Sequence, residues 1–573
     1  MTPQTSYVDR DASTLSDMQS ARLDACSLLI YRHDDGFVQL IWHLVMMDTM
    51  ARKMSALLAH PALAPVRHRW DLLPPFFQHL VKSLVIGMIA AIVLHQARPY
   101  VPGLVGAETT ATDWAIKFWQ DRSDSSQVAE ERFVFLDIDE HTYRAWGEPL
   151  FVPRDKLQRL IQFAAEAPAK LVIVDIELTK HVPLQPQPLS SPSFQAQGSS
   201  PIADPDQALA DYLRRYSERS HDDGTKAGSS APPRPHIIFA RTIGPFSPPE
   251  QAESVPGSAE TAEPFREERP SEFLETVITA SSILHWASPL SDRDDDGRLR
   301  NWRLLEPTCI GRTPHAIPSV ALLSWAILRT PFMNHAAFSP GLFKEELVRR
   351  FVPPFSSCLP SRPASAPAIS SSGSSWVLFD AVIAKQLTLS TRPSDLEQRI
   401  FYKFHPSTGL ADLFSRIPAL LVTEWEPRQP LSHDLVAGKT IIIGSSYEAG
   451  KDFHSTPIGE MPGAVVLANQ INALMEFGQF QEVSREIRWA GLLLLIVIFS
   501  LSFSLFTKTW GARISTLVVN AILLPVSLWI FQYGWWLDLV FPLFVLQAYQ
   551  KFVDMDVTPP PVIRKHQHAN ERA

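Results

Sequence analysis

Hydrophobic and polar positions follow two different regimes along this chain. Residues 76–95, FFQHLVKSLVIGMIAAIVLH, are almost continuously apolar. Such a run crosses a hydrocarbon core of roughly 30 Å at about 1.5 Å per residue if Lys82 reaches back to the headgroups. Three further apolar runs occupy 489–506, 514–531 and 535–552, joined by short links. Trp510, Trp529, Trp535 and Trp536 stand near their ends, where amphipathic rings favour the water interface. The pattern predicts about four transmembrane helices, at 76–97, 489–506, 514–531 and 535–552. Asp538 and Pro542 interrupt the last, which leaves a re-entrant or tilted segment as its alternative.

Between the first and second runs the periodicity changes. RFVFLDI at 132–138 and LVIVDIEL at 171–178 are short β-rich apolar stretches, and Leu157, Leu160, Ile161 and Ala164 recur between them at helical spacing. This reads as a β-α-β unit of a parallel sheet with a right-handed crossover. KTIIIG at 439–444 precedes an apolar helix starting near Pro462, so the same sheet is expected to resume after a long excursion. PDQALADYLRRY and SVALLSWAIL read as helices and HIIFART as a strand.

Composition sharpens this outline. The 573 residues are 45% hydrophobic and 20% charged, a globular balance, and the net charge of −8 comes with no basic stripe, which excludes nucleic acid as a partner. The 48 prolines cluster at about 181–203, 221–272 and 354–375, where low apolar content predicts disordered inserts. Arg52, Lys53, Arg67 and Arg69 precede the first span, Lys508 and Arg513 fill a short loop, and Lys551, Arg564 and Lys565 follow the last. Basic residues resist translocation, and all three groups share one side only with four spans. Residues 1–75 would then be a cytoplasmic helical region, 100–485 an extracytoplasmic domain and 553–573 a cytoplasmic tail. FVQLIWHLVMMDTMARKMSALLAH in the first region suits an amphipathic helix. The segment offers a cytoplasmic surface on which a separate protein could read a signal. Of three cysteines, Cys309 and Cys358 fall outside the membrane and are candidates for a disulfide, while Cys26 stays a cytosolic thiol.

The motifs resemble the CHASE2 extracellular sensor family. FLDIDEHTYRAWGEPLFVPRDKLQRLI is similar to its opening, with Asp137, Asp139, Gly147 and the Pro153–Arg154 pair; Asp175 lies at a strand end like the family's. Asp296–Gly297 followed by Arg300 resembles a family turn. AGKTIIIGSSYEAGKDFHSTPIGEMPGAVVLANQINALM resembles the closing signature at Gly438, Lys439, Gly444, Asp452, Thr456, Pro457, Pro462, Gly463, Ala468 and Asn469. Leu467 stands where the family often has His, which argues against catalysis or metal binding there. The resemblance implies a bacterial inner-membrane sensor with a parallel-sheet α/β domain outside. Family members commonly carry an enzyme beyond their last span, and the short tail here has no room for one. No enzymatic activity and no cofactor are expected.

Asp137, Asp139 and Asp175 fall at strand ends, the edge of an open α/β sheet where ligands bind. They form either an acidic crevice for a cation or amine, or a set of turn and helix caps. Arg154 is a possible partner for one of them. Asp452, His454, Thr456 and Asn469 complete the candidate ligand-binding set. Three other motifs are weak. GKT at 438–440 lacks the upstream Gly of a P-loop, and DRDDDG at 292–297 lacks the Glu that closes a calcium loop. Asp452, His454 and Ser455 or Thr456 are too close along the chain to converge as a hydrolase triad. Metal ligands are therefore none. The expected function is a receptor for an unknown small-molecule or envelope ligand that signals through a separate cytoplasmic protein, with a homodimer possible. The alternative is an envelope assembly protein that binds a protein or glycan.

Overall fold

The computed structural model describes residues 72–97, 102–120, 132–182, 204–225, 234–245, 266–294, 296–311, 313–329, 375–380, 385–390, 396–405, 414–424, 432–479, 481–482 and 485–506, with scattered positions from 510 to 536. These fall into two compact units, a helical one and an α/β one that spans Ala115–Glu482. The amphipathic helix expected near the N-terminus, Cys26, Cys358 and the segment 537–573 lie outside the described residues.

In the helical unit, Pro75–Ala97 and Arg485–Leu505 run for 23 and 21 residues. They pack through Ala91, Leu492 and Ile496, with Leu84 and Trp489 at the margin. Their remaining surfaces are also apolar: Val81, Val85, Ile89, Leu494, Val497 and Leu501 are exposed. Among the described residues, however, no helix is long and apolar enough to cross a membrane. Of the third expected span only scattered positions and the helix Leu524–Phe531 are described, and Trp535–Trp536, placed by the sequence at the start of the fourth, are extended.

The α/β unit is built on a six-stranded parallel sheet. Its strands are β1 (Phe133–Ile138), β2 (Leu171–Val174), β3 (His236–Ala240), β4 (Leu284–Ala287), β5 (Phe414–Pro418) and β6 (Thr440–Ser445), in the spatial order β5-β1-β6-β2-β3-β4. The central strands are buried on both faces, as continuous Val/Ile-rich runs require. One face carries Val134, Leu136, Val172, Val174, Ile441 and Ile443 against Leu157, Leu160, Ile161 and Ala164 of the helix Arg154–Glu166, the stripe visible in the sequence. The helix Pro205–Thr225 adds Leu209 and Leu213 to this layer. On the other face lie the helices Val320–Arg329 and Gly463–Phe477, apolar nearly all round and buried as that pattern demands.

The expected disordered insert 221–272 contains regular structure at both ends. The helix Pro205–Thr225 runs into it, β3 lies inside it, and Ile243–Pro245 pairs antiparallel with Arg266–Glu268. The apolar run HIIFA explains the strand: it joins β2 on one side and β4 on the other, where its side chains leave water. The insert ending near 375 likewise reaches Ser375–Asp380, which pairs with Lys385–Ser390.

One buried carboxylate anchors both ends of the first insert. Asp206 accepts from Arg154 Nε at 2.8 Å and from the Val182 amide at 2.7 Å, and lies 3.1 Å from His181 Nδ1, while its own amide donates to Asp204. Arg154 and Asp206 have almost no exposed side-chain surface. Removing one partner of such a pair strands the other charge, at about 3–5 kcal/mol. Asp206→Ala is expected to lower unfolding free energy by about that amount, measured by denaturant titration; a loss under about 1 kcal/mol would show that the pair is solvated.

Candidate functional site

β6 and β2 are neighbours whose chains leave toward opposite faces, β6 into the helix Gly463–Phe477 and β2 into the helix Pro205–Thr225. Divergence of this kind opens the sheet's C-terminal edge for ligands. Asp137 of β1, Gly444 of β6 and Asp175 just after β2 lie side by side across this edge. Asp137 is in register with Gly444, and the Asp175 amide donates to the Ile443 carbonyl at 2.8 Å. All three face the side covered by Gly463–Phe477, because Val134, Leu136, Val172, Val174, Ile441 and Ile443 take the alternate positions on the opposite face.

Asp137 has no exposed surface. Its Oδ2 accepts from Arg416 Nε of β5 and from Ser446 Oγ at 2.8 Å, and Arg416 also donates to Ser446 at 2.7 Å. Its Oδ1 is buried without a hydrogen-bond partner. Burial outweighs the attraction of Arg416 and pushes this carboxyl up to about 6. Asp175 is less well provided for. Burial, reinforced by the charge of Asp452, drives it well above the usual carboxylate range, and among the described residues no group donates a hydrogen bond to it.

Asp452 and His454 sit on the hairpin formed by Phe453–Thr456 and Gly459–Pro462. His454 Nε2 is 3.2 Å from Asp452 Oδ1, and its Nδ1 is 3.4 Å from an Arg293 nitrogen. The contacts suit a neutral imidazole that donates to the aspartate and accepts from the arginine. Beside them the rings of Tyr143 and Tyr447 stack 4.2 Å apart at 4°. Burial, together with the charges of Tyr143 and Asp452, raises the Tyr447 phenol.

The other sequence candidates have structural duties. Asp139 caps the helix Glu140–Ala145, accepting from the Thr142 amide at 2.8 Å. Arg154 pairs with Asp206 rather than with an aspartate of the edge. Thr456 donates to the Gly459 carbonyl inside its hairpin turn. Buried Asn469 takes the amides of Lys403 and Phe404 at 2.7 and 2.8 Å and returns a bond to the Phe404 carbonyl, clamping an irregular segment onto its helix. Asp294 and Asp296 of the calcium-like turn grip Arg300, whose hydrogen bond holds Asp296 down at about 2. Lys439 donates to the Leu435 carbonyl at the entry to β6. Cys309 is buried and disulfide-bonded. Among the described residues no group of acidic, His or Cys side chains is placed to hold a metal ion.

Arg416, Ser446, Tyr143 and Tyr447 escaped sequence reasoning. Arg416 stands on a five-residue edge strand in which only FSRIP alternation signals β structure.

The raised carboxyl of Asp137 makes a signed pH prediction. Between its ordinary value of 3.8 and about 6 the folded chain holds a proton that the unfolded chain has released. Stability therefore falls as pH rises through that window and levels off above it. Asp137→Asn cannot titrate. The stability of the variant relative to the parent is expected to rise by up to about 3 kcal/mol across the window, read from unfolding at a series of pH values; a pH-independent difference would contradict it.

No curated protein and no solved structure matches the chain. The profile of the CHASE2 domain does, over residues 85–505, most of the sequence. Together with the parallel sheet that joins the opening and closing motifs, this match makes the chain a member of the CHASE2 domain family.

Proposed function

We propose that the protein is an extracytoplasmic receptor anchored in a bacterial inner membrane, which binds its ligand at the C-terminal edge of the sheet and signals through a separate cytoplasmic protein. The observation that carries this reading is the edge itself. The chains that leave β6 and β2 toward opposite faces open this edge, and among the described residues no group donates a hydrogen bond to Asp175, whose carboxyl burial and the charge of Asp452 raise, a combination that favours a binding role. Family membership supports the sensory reading, since CHASE2 is a sensory domain type.

Membrane anchoring is supported by the sequence of the two long helices taken whole, including side chains outside those described. Pro75–Ala97 and Arg485–Leu505 would extend about 34 and 31 Å at 1.5 Å per residue. Their outward apolar residues would be costly in water and suit lipid. Along the chain the first helix precedes the α/β unit and the second follows it. A ligand that favours one arrangement of the sheet edge would bias them only through differential affinity for two states. The disulfide at Cys309 fits an oxidising compartment.

A membrane-impermeant maleimide tests the topology. In a Cys26→Ser background, exposed Arg215→Cys is expected to label in intact spheroplasts, and Lys508→Cys only after permeabilisation. Labelling of both before permeabilisation would overturn the orientation. Affinity purification of the full chain then separates the two roles: a kinase or cyclase should co-purify with a receptor, whereas a stimulus-independent envelope complex would mean assembly instead.

A further inference from the structure

The hairpin formed by Phe453–Thr456 and Gly459–Pro462 is fixed at its base. The Asp452 carbonyl accepts from the Gly463 amide at 2.9 Å, and a Cβ on Gly463 would come within 2.5 Å of Asp452 Oδ1, so glycine lets this side chain lie against the start of the helix Gly463–Phe477. Beyond its base the hairpin packs on the strand Leu299–Arg303, the middle of a small antiparallel sheet whose outer strands are Ser291–Arg293 and Glu397–Arg399. Gln470 of the same helix donates to Ser291 Oγ at 2.6 Å and holds the start of that outer strand. Its end, Arg293, meets the hairpin at His454.

His454 thus stands between a fixed anion and a permanent cation. Its Nε2 is 3.2 Å from Asp452 Oδ1, and its Nδ1 is 3.4 Å from an Arg293 nitrogen. A guanidinium only donates and keeps its charge, so Nδ1 must accept, which a neutral imidazole alone can do. The carboxylates nearest Arg293 along the chain are engaged elsewhere: Asp292 by Arg266 and Arg303, and Asp294 by Arg300.

We propose that His454 is a pH-sensitive latch: protonation at Nδ1 frees the hairpin from the strand Ser291–Arg293, while Asp452 retains the imidazolium. The two contacts respond in opposite directions. A proton on Nδ1 points a donor at a donor and sets two positive charges side by side, whereas the bond to Asp452 becomes charge-assisted and about twice as strong. The contact that fails is therefore the one between elements. Histidine changes charge between about pH 5 and 8, the range in which such a latch works. Other charged and titratable groups lie around the hairpin: Arg300 and Arg303 on the strand beneath it, His405 beside Gly459, Asp175 next to Asp452, and Lys451 and Glu460 on the hairpin segment itself. The latch is linked to the sheet edge through Asp452, whose charge helps to raise the Asp175 carboxyl; an imidazolium beside Asp452 offsets that push. The inference goes beyond the receptor reading, because the latch responds to protons whether or not the edge holds a ligand.

Hydrogen exchange of the full-length chain in detergent, read by mass spectrometry and corrected for the intrinsic effect of pH, tests it. Peptides covering Phe453–Pro462 and Ser291–Arg293 are expected to exchange about fivefold faster or more at about pH 5.5 than at about pH 7.5, reversibly, while β1 and β2 keep their protection. His454→Gln offers a donor and an acceptor but cannot titrate, and Arg293→Gln removes the repulsion; each should abolish the step. Asp175→Asn and His405→Gln should keep it. No step in the parent, a step undiminished in His454→Gln or Arg293→Gln, or a loss of protection shared by β1 and β2 overturns the proposal. A step abolished by Asp175→Asn or His405→Gln also overturns it, by placing the titrating group elsewhere. If His454→Gln does not fold, the substitution at exposed Arg293 decides.

Discussion

Close approach of the helix Gly463–Phe477 to the strand β6 is the constraint on which the rest of the edge depends. Gly444 and Gly463 are the two positions that permit it, the first by admitting Ala464 and the second by admitting the Asp452 carboxylate. With a larger residue at 444 the helix start would lift, and the buried side chains of the helix, Val465, Leu467 and Ile471 among them, would lose packing. Burial beside it raises the carboxyl of Asp175. The sheet edge therefore combines tight packing with poorly satisfied charge, a combination that local stability alone does not favour.

Elsewhere the domain treats its buried charges differently. Arg241 is held by Glu268 and Glu275, and Glu268 also accepts from Thr308 and bonds to His315. Burial opposes ionisation of Glu268, but these partners together keep it below its ordinary range. Arg154 with Asp206, and Arg300 with Asp294 and Asp296, follow the same rule. Asp137 is held differently: Arg416 and Ser446 meet only its Oδ2, and its Oδ1 has no hydrogen-bond partner among the described residues.

Which parts of this were legible beforehand follows from the range of the interactions. The β1, β2 and β6 runs and the stripe of Arg154–Glu166 declare themselves locally, because periodicity within one element dictates which side is buried. The parallel core and the placement of Asp137 and Asp175 at strand ends were read from that alone. Partner choice was not. Arg416 meets Asp137 from 279 residues away, and Arg154 finds Asp206 across an insert of Pro-rich sequence, distances over which no local pattern carries information. Asp139 and Asn469 were candidates by motif and turned out to serve a cap and a clamp, roles that need only one or two backbone groups nearby. The strand at 236–240 is legible from its own apolar run, HIIFA, although the stretch around it reads as a disordered insert. Average composition describes a segment, whereas pairing is decided residue by residue.

The central claim is that burial at the sheet edge, reinforced by the charge of Asp452, raises the carboxyl of Asp175 well above the usual carboxylate range. Infrared spectroscopy of the full-length chain at neutral pH addresses it directly. The account predicts a carboxylic-acid carbonyl band that is absent from Asp175→Asn and fades when the pH is raised well above neutral. A spectrum without that band, or one in which Asp175→Asn leaves it unchanged, would contradict the account.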